Sequence, residues 1–266
     1  AYLKAHYPVE FMCAVMSLDI TNTDKLLFFK DECKKLGFKV LKPDINHSGS
    51  DFVVEDGNIR YALGAVKGVG EANMRAIVAE REAHGPYKDI SDFIHRPDIK
   101  QINRRQLEQL IKAGAFDCLE KNRGRLFANV ETIMRHIASS SELKTSEQAS
   151  LFGNEELHAK VKLADKPDWP ELEKLKLEAE AIGFYLSAHP LDSYGKGMER
   201  LGVKNCSEIF RNIRTGDSIR AKVAGCVNSF QKRISKTGNK YAFLELSDAS
   251  GSFEGILFSE GLARYE

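Results

Sequence analysis

Apolar residues recur at the 3.6-residue spacing of an amphipathic helix in several parts of this 266-residue chain. Residues 24–36 carry such a stripe, and Gly37 directly after them is a typical helix-ending residue. The same spacing predicts helices over 71–82 and 171–182, and Gly183 follows the second of these. The sequence therefore predicts a mainly helical chain up to about residue 182.

Two β-prone runs interrupt the helical pattern. They cover residues 51–55 and 58–63 and are separated by Asp56-Gly57. A glycine-containing turn between two such runs predicts a β-hairpin. We therefore expect a small sheet between the first helices and the later ones.

Apolar and polar residues alternate in the last fifth of the chain, as in half-buried strands. The alternation predicts strands over 219–224, 241–246 and 253–258, with turns at 236–239 and 248–251. Antiparallel strands joined by such turns fit the first part of a small OB-type β-barrel, a fold that binds oligonucleotides. Because fewer than five strands can be counted, we expect a partial barrel.

Composition narrows the possible function classes. Hydrophobic residues make up 42% of the chain and charged residues 29%, and the formal net charge is +1. Affinity for nucleic acid must therefore come from local basic patches. No apolar run reaches membrane-spanning length, and no secretory signal is visible. The five cysteines include no Cys-x-x-Cys pair, which argues against zinc and disulfides and favours the reducing cytoplasm. The chain starts at Ala1 instead of Met, so we expect an excised fragment.

The motif Lys67-Gly68-Val69-Gly70 directly precedes the predicted helix over 71–82. Glycine has no Cβ, so it can adopt a positive φ and expose its N–H. Such N–H groups, together with the unpaired ones at a helix start, form an anion site suited to phosphate, and Lys67 adds a cation. A Gly-x-Gly hairpin between an apolar segment and a helix is the pattern of a helix-hairpin-helix DNA-binding module. The alternative is a glycine-rich turn that only connects two core elements.

A second pattern of the same kind follows. Arg104 and Arg105 open a predicted helix that ends near Lys112, Ala113-Gly114-Ala115 forms a tight turn, and Arg123 opens a further helix. Two hairpins in tandem would hold phosphates of one duplex without reading its sequence. The alternative is a solvated Lys/Arg face on a helical domain.

Basic and aromatic residues are interleaved in the predicted barrel. The basic residues are Arg220, Lys232, Arg233 and Lys240, and the aromatic ones are Phe230, Tyr241 and Phe243. This pattern suits single-stranded nucleic acid, because cations follow the backbone while bases stack on the rings. For Phe243, a place in the barrel core is an equally good interpretation.

Residues 139–170 are polar and contain two prolines, which predicts a flexible linker. Within them, Gln148-Ala149-Ser150-Leu151-Phe152-Gly153 is a short amphipathic island. Leu151 and Phe152 could anchor in an apolar pocket while the Gln148 amide makes directed hydrogen bonds. The pattern resembles the Gln-x-x-Leu-Phe peptide by which bacterial replication proteins attach to the ring-shaped sliding clamp. The alternative is a linker segment that packs back on its own domain.

Seven segments together carry a resemblance that covers nearly the whole chain. They are residues 1–12, 43–46, 64–70, 103–105, 111–117, 148–153 and 183–191. In this order they resemble an internal part of the catalytic α subunits of bacterial DNA polymerase III, the C-family replicative polymerases. The resemblance implies that the full-length protein is a DNA-directed DNA polymerase, a nucleotidyltransferase.

The resemblance also implies a multidomain α+β architecture, mostly helical, with tandem helix-hairpin-helix motifs followed by a partial OB-type barrel. The implied segments are the end of a fingers domain (1–57), a tandem helix-hairpin-helix domain that binds clamp and duplex (58–138), a linker with the clamp-binding peptide (139–170), a helical connector (171–212) and the N-terminal part of an OB-fold domain (213–266).

The resemblance places the chemistry outside this chain. In the family the carboxylates that hold the catalytic Mg²⁺ ions precede this segment, so no catalytic residue, metal ligand or cofactor is assigned here, and we expect the chain alone not to extend a primer. The implied partners are duplex DNA, single-stranded template, the sliding clamp and other holoenzyme subunits in the cytoplasm, with no membrane. Two further hypotheses stay open: a module of another DNA enzyme such as a ligase, and a non-enzymatic adaptor.

Overall fold

The structure is a computed structural model that describes residues 2–96, 99, 101–145, 160–213, 218–235 and 238–265. The chain divides into two units, Ala1–Ser187 and Ala188–Glu266. Within the described ranges, no helix is both long and apolar enough to cross a membrane.

Helices make up most of the first unit. They are α1 (Tyr2–His6), α2 (Pro8–Leu18), α3 (Thr23–Leu36), α4 (Glu71–His84), α5 (Ile90–His95), α6 (Arg104–Lys112), α7 (Arg123–Ala128), α8 (Val130–Thr145) and α9 (Glu171–Ile182). The three helices predicted from apolar spacing are confirmed as α3, α4 and α9. Gly37 at φ +94° and Gly183 at φ +109° end α3 and α9, because glycine adopts the left-handed conformation without steric cost.

A small sheet lies between α3 and α4. Its strands are β1 (Val40–Leu41), β2 (Val53–Glu55) and β3 (Asn58–Arg60), in the order β1-β3-β2. β2 and β3 are antiparallel, and the turn between them places Asp56 at φ +48° and Gly57 at φ +73°. The predicted β-hairpin is therefore confirmed, with β1 added in parallel beside β3.

One hydrophobic core runs through the first unit, from Met12 at one end of its sequence to Leu186 at the other. The boundaries predicted near residues 57, 138 and 170 therefore do not separate independent cores. The single core results from packing between residues far apart in sequence, and the periodicity within one segment does not reveal such contacts.

Residues 160–170, here named the strap, belong to the first unit and form neither helix nor strand. Val161 and Trp169 pack against the core. The side-chain amide of Asn129 accepts a hydrogen bond from the Ala164 N–H and donates one to the Ala164 carbonyl, both at 2.9 Å. α8 also continues as far as Thr145. Both described parts of the predicted flexible linker thus have a defined structure.

The second unit contains α10 (Gly195–Arg200), α11 (Cys206–Asn212), β4 (Cys226–Ile234), β5 (Lys240–Asp248), β6 (Gly251–Leu257) and α12 (Ser259–Tyr265). Its described strands form an antiparallel sheet in the order β4-β5-β6. The predicted strand over 241–246 is confirmed as part of β5, and the one over 253–258 is confirmed up to Leu257, where β6 ends.

The predicted strand over 219–224 is wrong. In the described part of this region, Lys222 forms only an isolated bridge with Val203, and the strand that pairs with β5 is β4. Every residue of β4 is exposed or half-buried, so its sequence lacks the alternation of apolar and polar residues by which a strand with one buried face is recognised.

Candidate nucleic-acid interface

The segment Lys67–Gly70, here named the first hairpin, turns the chain into α4. Gly68 has φ +77° and Gly70 has φ +74°, so both occupy the left-handed region that favours glycine. Val69 between them is fully buried, whereas Lys67 and both glycines are exposed. The buried valine anchors a turn whose remaining backbone faces solvent.

Several backbone N–H groups at this turn have no acceptor among the residues that the structure describes. The N–H groups of Gly68 and Gly70 make no hydrogen bond within the described part of the chain. The next N–H groups belong to the first three residues of α4, which cannot bond within their own helix, and Met74 is the first residue bonded to Gly70. Unpaired N–H groups at a helix start attract anions.

Two cations lie at the first hairpin. Lys67 and Arg105 are exposed, and neither forms an ion pair with another described residue. The Arg105 guanidinium rests on Gly68: a Cβ at Gly68 would lie 3.3 Å from Arg105 Nε. A side chain at position 68 would therefore displace the arginine as well as strain the turn.

Gln106 connects the first hairpin with α4 and α6. Its side-chain N–H donates to the Val69 carbonyl, and its Oε1 accepts from the Asn103 N–H and from Asn73 Nδ2, each at 2.9 Å. Gln106 is buried, so these bonds are shielded from water. Sequence reasoning missed this residue, although the spacing Asn103-x-x-Gln106 is the signature of a helix capping box.

The second predicted hairpin, Ala113–Ala115, is buried. Its N–H groups are used internally: Gly114 donates to the Ile111 carbonyl at 3.0 Å and Ala115 to the Leu110 carbonyl at 3.0 Å. These two bonds form a Schellman motif that ends α6. Ala113–Ala115 is therefore a buried turn that ends α6 and not the second phosphate-binding hairpin that the sequence predicted.

Arg123 is a structural residue and not a surface cation. Its guanidinium lies against Gly114, binds Asp117 through Nε at 2.8 Å and Nη2 at 2.7 Å, and donates to the Lys112 carbonyl at 3.2 Å. Burial alone would lower the pKa of Arg123, but the Asp117 carboxylate outweighs it and the pKa is raised. The predicted phosphate contact by Arg123 is corrected for this reason.

The other two predicted cations of α6 have carboxylate partners. Lys112 is half-buried, and its Nζ lies 3.4 Å from Glu180. Arg104 is exposed, and its Nε lies 2.8 Å from the Glu108 carboxylate, which raises the pKa of Arg104. Of these two, Arg104 is the one open to an incoming phosphate.

The basic residues predicted for the barrel do not converge. In the β4–β5 pairing Arg233 lies opposite Tyr241 and Lys232 opposite Ala242, so the two cations face opposite sides of the sheet. The Arg233 guanidinium is 5.3 Å from the Phe243 ring, and Tyr241 packs edge-on against that ring.

The other basic and aromatic residues predicted for the barrel do not lie on the sheet face that carries Arg233, Tyr241 and Phe243. Lys240 starts β5, Arg220 is exposed outside the strands, and Phe230 lies on the Lys232 side. The predicted clamp-binding residues Gln148, Leu151 and Phe152 lie outside the described residues. No cluster of metal-ligating side chains occurs among the residues whose placement is described.

The family described as "Helix-hairpin-helix motif" matches residues 37–126, a segment that includes the first hairpin, α4 and α6. Over nearly its whole length the chain is also similar to DNA polymerase III subunit alpha. It is 38% identical over 264 residues to the protein of Caulobacter vibrioides, covering 99% of this chain and 23% of that protein.

Two further relatives agree. The subunit alpha of Vibrio cholerae is 39% identical over 268 residues, covering 99% of this chain and 23% of the relative. That of Escherichia coli K12 is 38% identical over 270 residues, covering 100% and 23%. The resemblance recognised in the sequence is thereby confirmed, and the chain spans about a quarter of the length of these relatives.

Proposed function

We propose that this chain is the part of a bacterial replicative DNA polymerase that holds duplex DNA. The observation that carries the proposal is the first hairpin, where unpaired N–H groups of Gly68, Gly70 and the start of α4 face solvent beside Lys67 and Arg105. A turn that served only to connect two core elements would not need exposed cations at unpaired N–H groups. The similarity to subunit alpha supplies the replicative context.

The proposed mechanism is retention of DNA without sequence readout. The N–H groups of the hairpin and of α4 bind one phosphate, while Lys67, Arg105 and Arg104 neutralise phosphates beside it. Such contacts are made to the backbone, so they position the duplex equally on any sequence. Nucleotide transfer is assigned to the remainder of the full-length polymerase, and this chain alone is not expected to extend a primer.

Lys67→Glu tests this proposal. The change removes one phosphate contact and adds repulsion, so duplex affinity should fall roughly ten-fold at low salt. The slope of log K against log salt should shrink in magnitude by about 0.9. Fluorescence anisotropy titrations with two duplexes of unrelated sequence, at several salt concentrations, give both quantities.

Lys88→Glu is the matched control. Lys88 is also exposed, but it follows the far end of α4, and α4 is 14 residues long, about 20 Å. If both variants lost the same duplex affinity, the loss would result from the change in net charge, and the first hairpin would not be the DNA site. A loss that depended on DNA sequence would contradict phosphate binding.

We also propose that Gln148, Leu151 and Phe152 bind the sliding clamp within the polymerase holoenzyme. Support comes from the amphipathic pattern of this segment and from the replicative relatives. Holding duplex and clamp together raises the effective concentration of DNA and so the processivity. Replacing Leu151 and Phe152 by Ala should abolish clamp binding in surface plasmon resonance and leave duplex affinity unchanged. If this double variant bound the clamp as tightly as the parent chain, Leu151 and Phe152 would not be clamp-binding residues.

For the second unit we propose an OB-type domain of a cytoplasmic protein that touches single-stranded template. Arg233, Tyr241 and Phe243 share one sheet face, where a cation beside two aromatic rings packed edge to face suits a base and its phosphate. Arg220, Lys232 and Lys240 would serve only to attract the strand.

A further inference from the structure

The last turn of α9 contacts the first hairpin at two points. The Lys67 N–H donates to the Ala181 carbonyl at 2.8 Å. At Gly183 a Cβ would lie 2.9 Å from both Cε and Nζ of Lys67, so the lysine side chain occupies the space that this glycine leaves free. Both the backbone and the side chain of Lys67 therefore rest on the end of α9, which lies outside the matched segment 37–126.

The end of α9 is itself fixed by a buried carboxylate. Glu178 is 1% exposed and accepts hydrogen bonds from the Leu186 N–H at 3.2 Å and the Ser187 N–H at 2.9 Å. Its other oxygen lies 3.8 Å from Nη1 of Arg123, which is bound to Asp117. A continuous set of contacts therefore joins the Ala113–Ala115 turn, α9 and the first hairpin.

We propose that α9 is a positioning element of the DNA site. Its C-terminal turn holds the first hairpin in place through Ala181, and Gly183 gives the Lys67 ammonium its position. Carbonyl groups at a helix C-terminus carry partial negative charge, which favours a cation there. The proposal rests on the proposed duplex binding and deepens it: Arg123 and the buried turn act on DNA indirectly, by fixing α9.

Gly183→Asn tests the proposal, because Asn tolerates positive φ better than most residues while its Cβ displaces Lys67. The Thr23 methyl group also occupies this space, so the test uses a Thr23→Ser background. Duplex affinity of the full chain should fall roughly five- to ten-fold, and the salt slope should shrink by about 0.9, as for loss of one phosphate contact. Lys67→Ala should then cause little further loss.

Gly37→Asn in the same background is the control. Gly37 also ends a helix at positive φ, +94°, but nothing lies within 4 Å of its Cβ position. This variant should keep both affinity and salt slope. Circular dichroism establishes that each variant is folded, and Gly183→Ala replaces the Asn variant if that variant is unfolded.

The outcomes separate the two proposals. Full affinity and an unchanged slope in the folded Gly183 variant would overturn the role of α9, as would additive effects of the changes at positions 183 and 67. If Lys67→Ala has no effect in the parent chain, the proposed duplex binding fails, and the role of α9 fails with it.

Discussion

At the scale of single residues, the Asp117 carboxylate is the clearest case of charge used inside the fold. It accepts hydrogen bonds from Arg123 and, at 2.6 Å, from Lys42 Nζ. Burial disfavours its ionised form, but the two cations outweigh burial and lower the pKa of Asp117 below its ordinary value of 3.8. A carboxyl whose pKa is lower in the folded state stabilises that state above its unfolded pKa, and the stabilisation is lost as pH falls through the folded pKa.

Asp117→Asn should therefore destabilise the chain most at neutral pH. Removing one partner leaves Arg123 buried without its counter-charge, at a cost of about 3 kcal/mol in the free energy of unfolding at pH 7. The difference from the parent chain should narrow as pH falls below about 4, because the Asp117 carboxyl is protonated first in the unfolded chain and only at lower pH in the folded one. Urea unfolding at pH 7, 5 and 3 measures this difference.

Asp165→Asn serves as the control for Asp117→Asn, because Asp165 is exposed in the strap. Asp165→Asn should change the free energy of unfolding by no more than about 0.5 kcal/mol at each pH. A difference between Asp117→Asn and the parent chain that stays constant from pH 7 to pH 3 would contradict the role of the Asp117 charge.

The first hairpin and Arg123 show how much of the site a sequence predicts. Two glycines one residue apart before a helix predict positive φ and open N–H groups, because these properties depend on the local backbone alone. The surroundings of Arg123 depend on tertiary packing against Asp117 and Glu178, and local sequence does not contain that information. Gln106 bridges contacts to Val69, 37 positions away, and was missed for the same reason.

At the scale of elements, the turn after α6 combines backbone strain with close packing. Gly114 has φ +79°, and the Arg123 guanidinium occupies the space where a Cβ would be. Gly37 after α3 is also left-handed, with φ +94° and ψ +9°, but no atom lies within 4 Å of its Cβ position. The two glycines therefore separate the cost of strain from the cost of displacing Arg123.

Gly114→Ala should lower the free energy of unfolding by at least about 3 kcal/mol, since left-handed strain of about 1 kcal/mol adds to overpacking. Gly37→Ala should cost about 1 kcal/mol, from strain alone. Urea unfolding of both variants measures the two values. If both variants lost the same free energy of unfolding, the Arg123 side chain would move aside without an energetic cost.

Elements with one buried face were predictable, whereas elements with two exposed faces were not. α3 and α9 end at glycines and carry apolar stripes, so local sequence gives both their type and their ends. β4 lies in a sheet without a cover on most of its length, and its pattern of polar residues carries no period of two. The alternation over 219–224 was consequently assigned to a strand that does not form.

At the scale of the whole molecule, the chain divides into two units, and the organisation into five segments stays a prediction. The sequence predicts the order of helical and strand-rich regions, because composition changes along the chain. It does not predict that the linker returns to the core, because the contacts of the strap with α7 and with Asn129 span 35 residues or more. Arg125 in α7 and Asn129, which directly follows α7, both bind the strap backbone and belong to another predicted segment.

The docking of the strap has a consequence for how the first unit can be assembled. Its core is built from two stretches of chain, 2–145 and 160–187, and the second is held by core packing and by hydrogen bonds from α7. Peptide-bond continuity between residues 145 and 160 is therefore not what holds α9 beside the first hairpin. A chain cut there should remain one non-covalent particle, with the later piece acting as a complementing fragment.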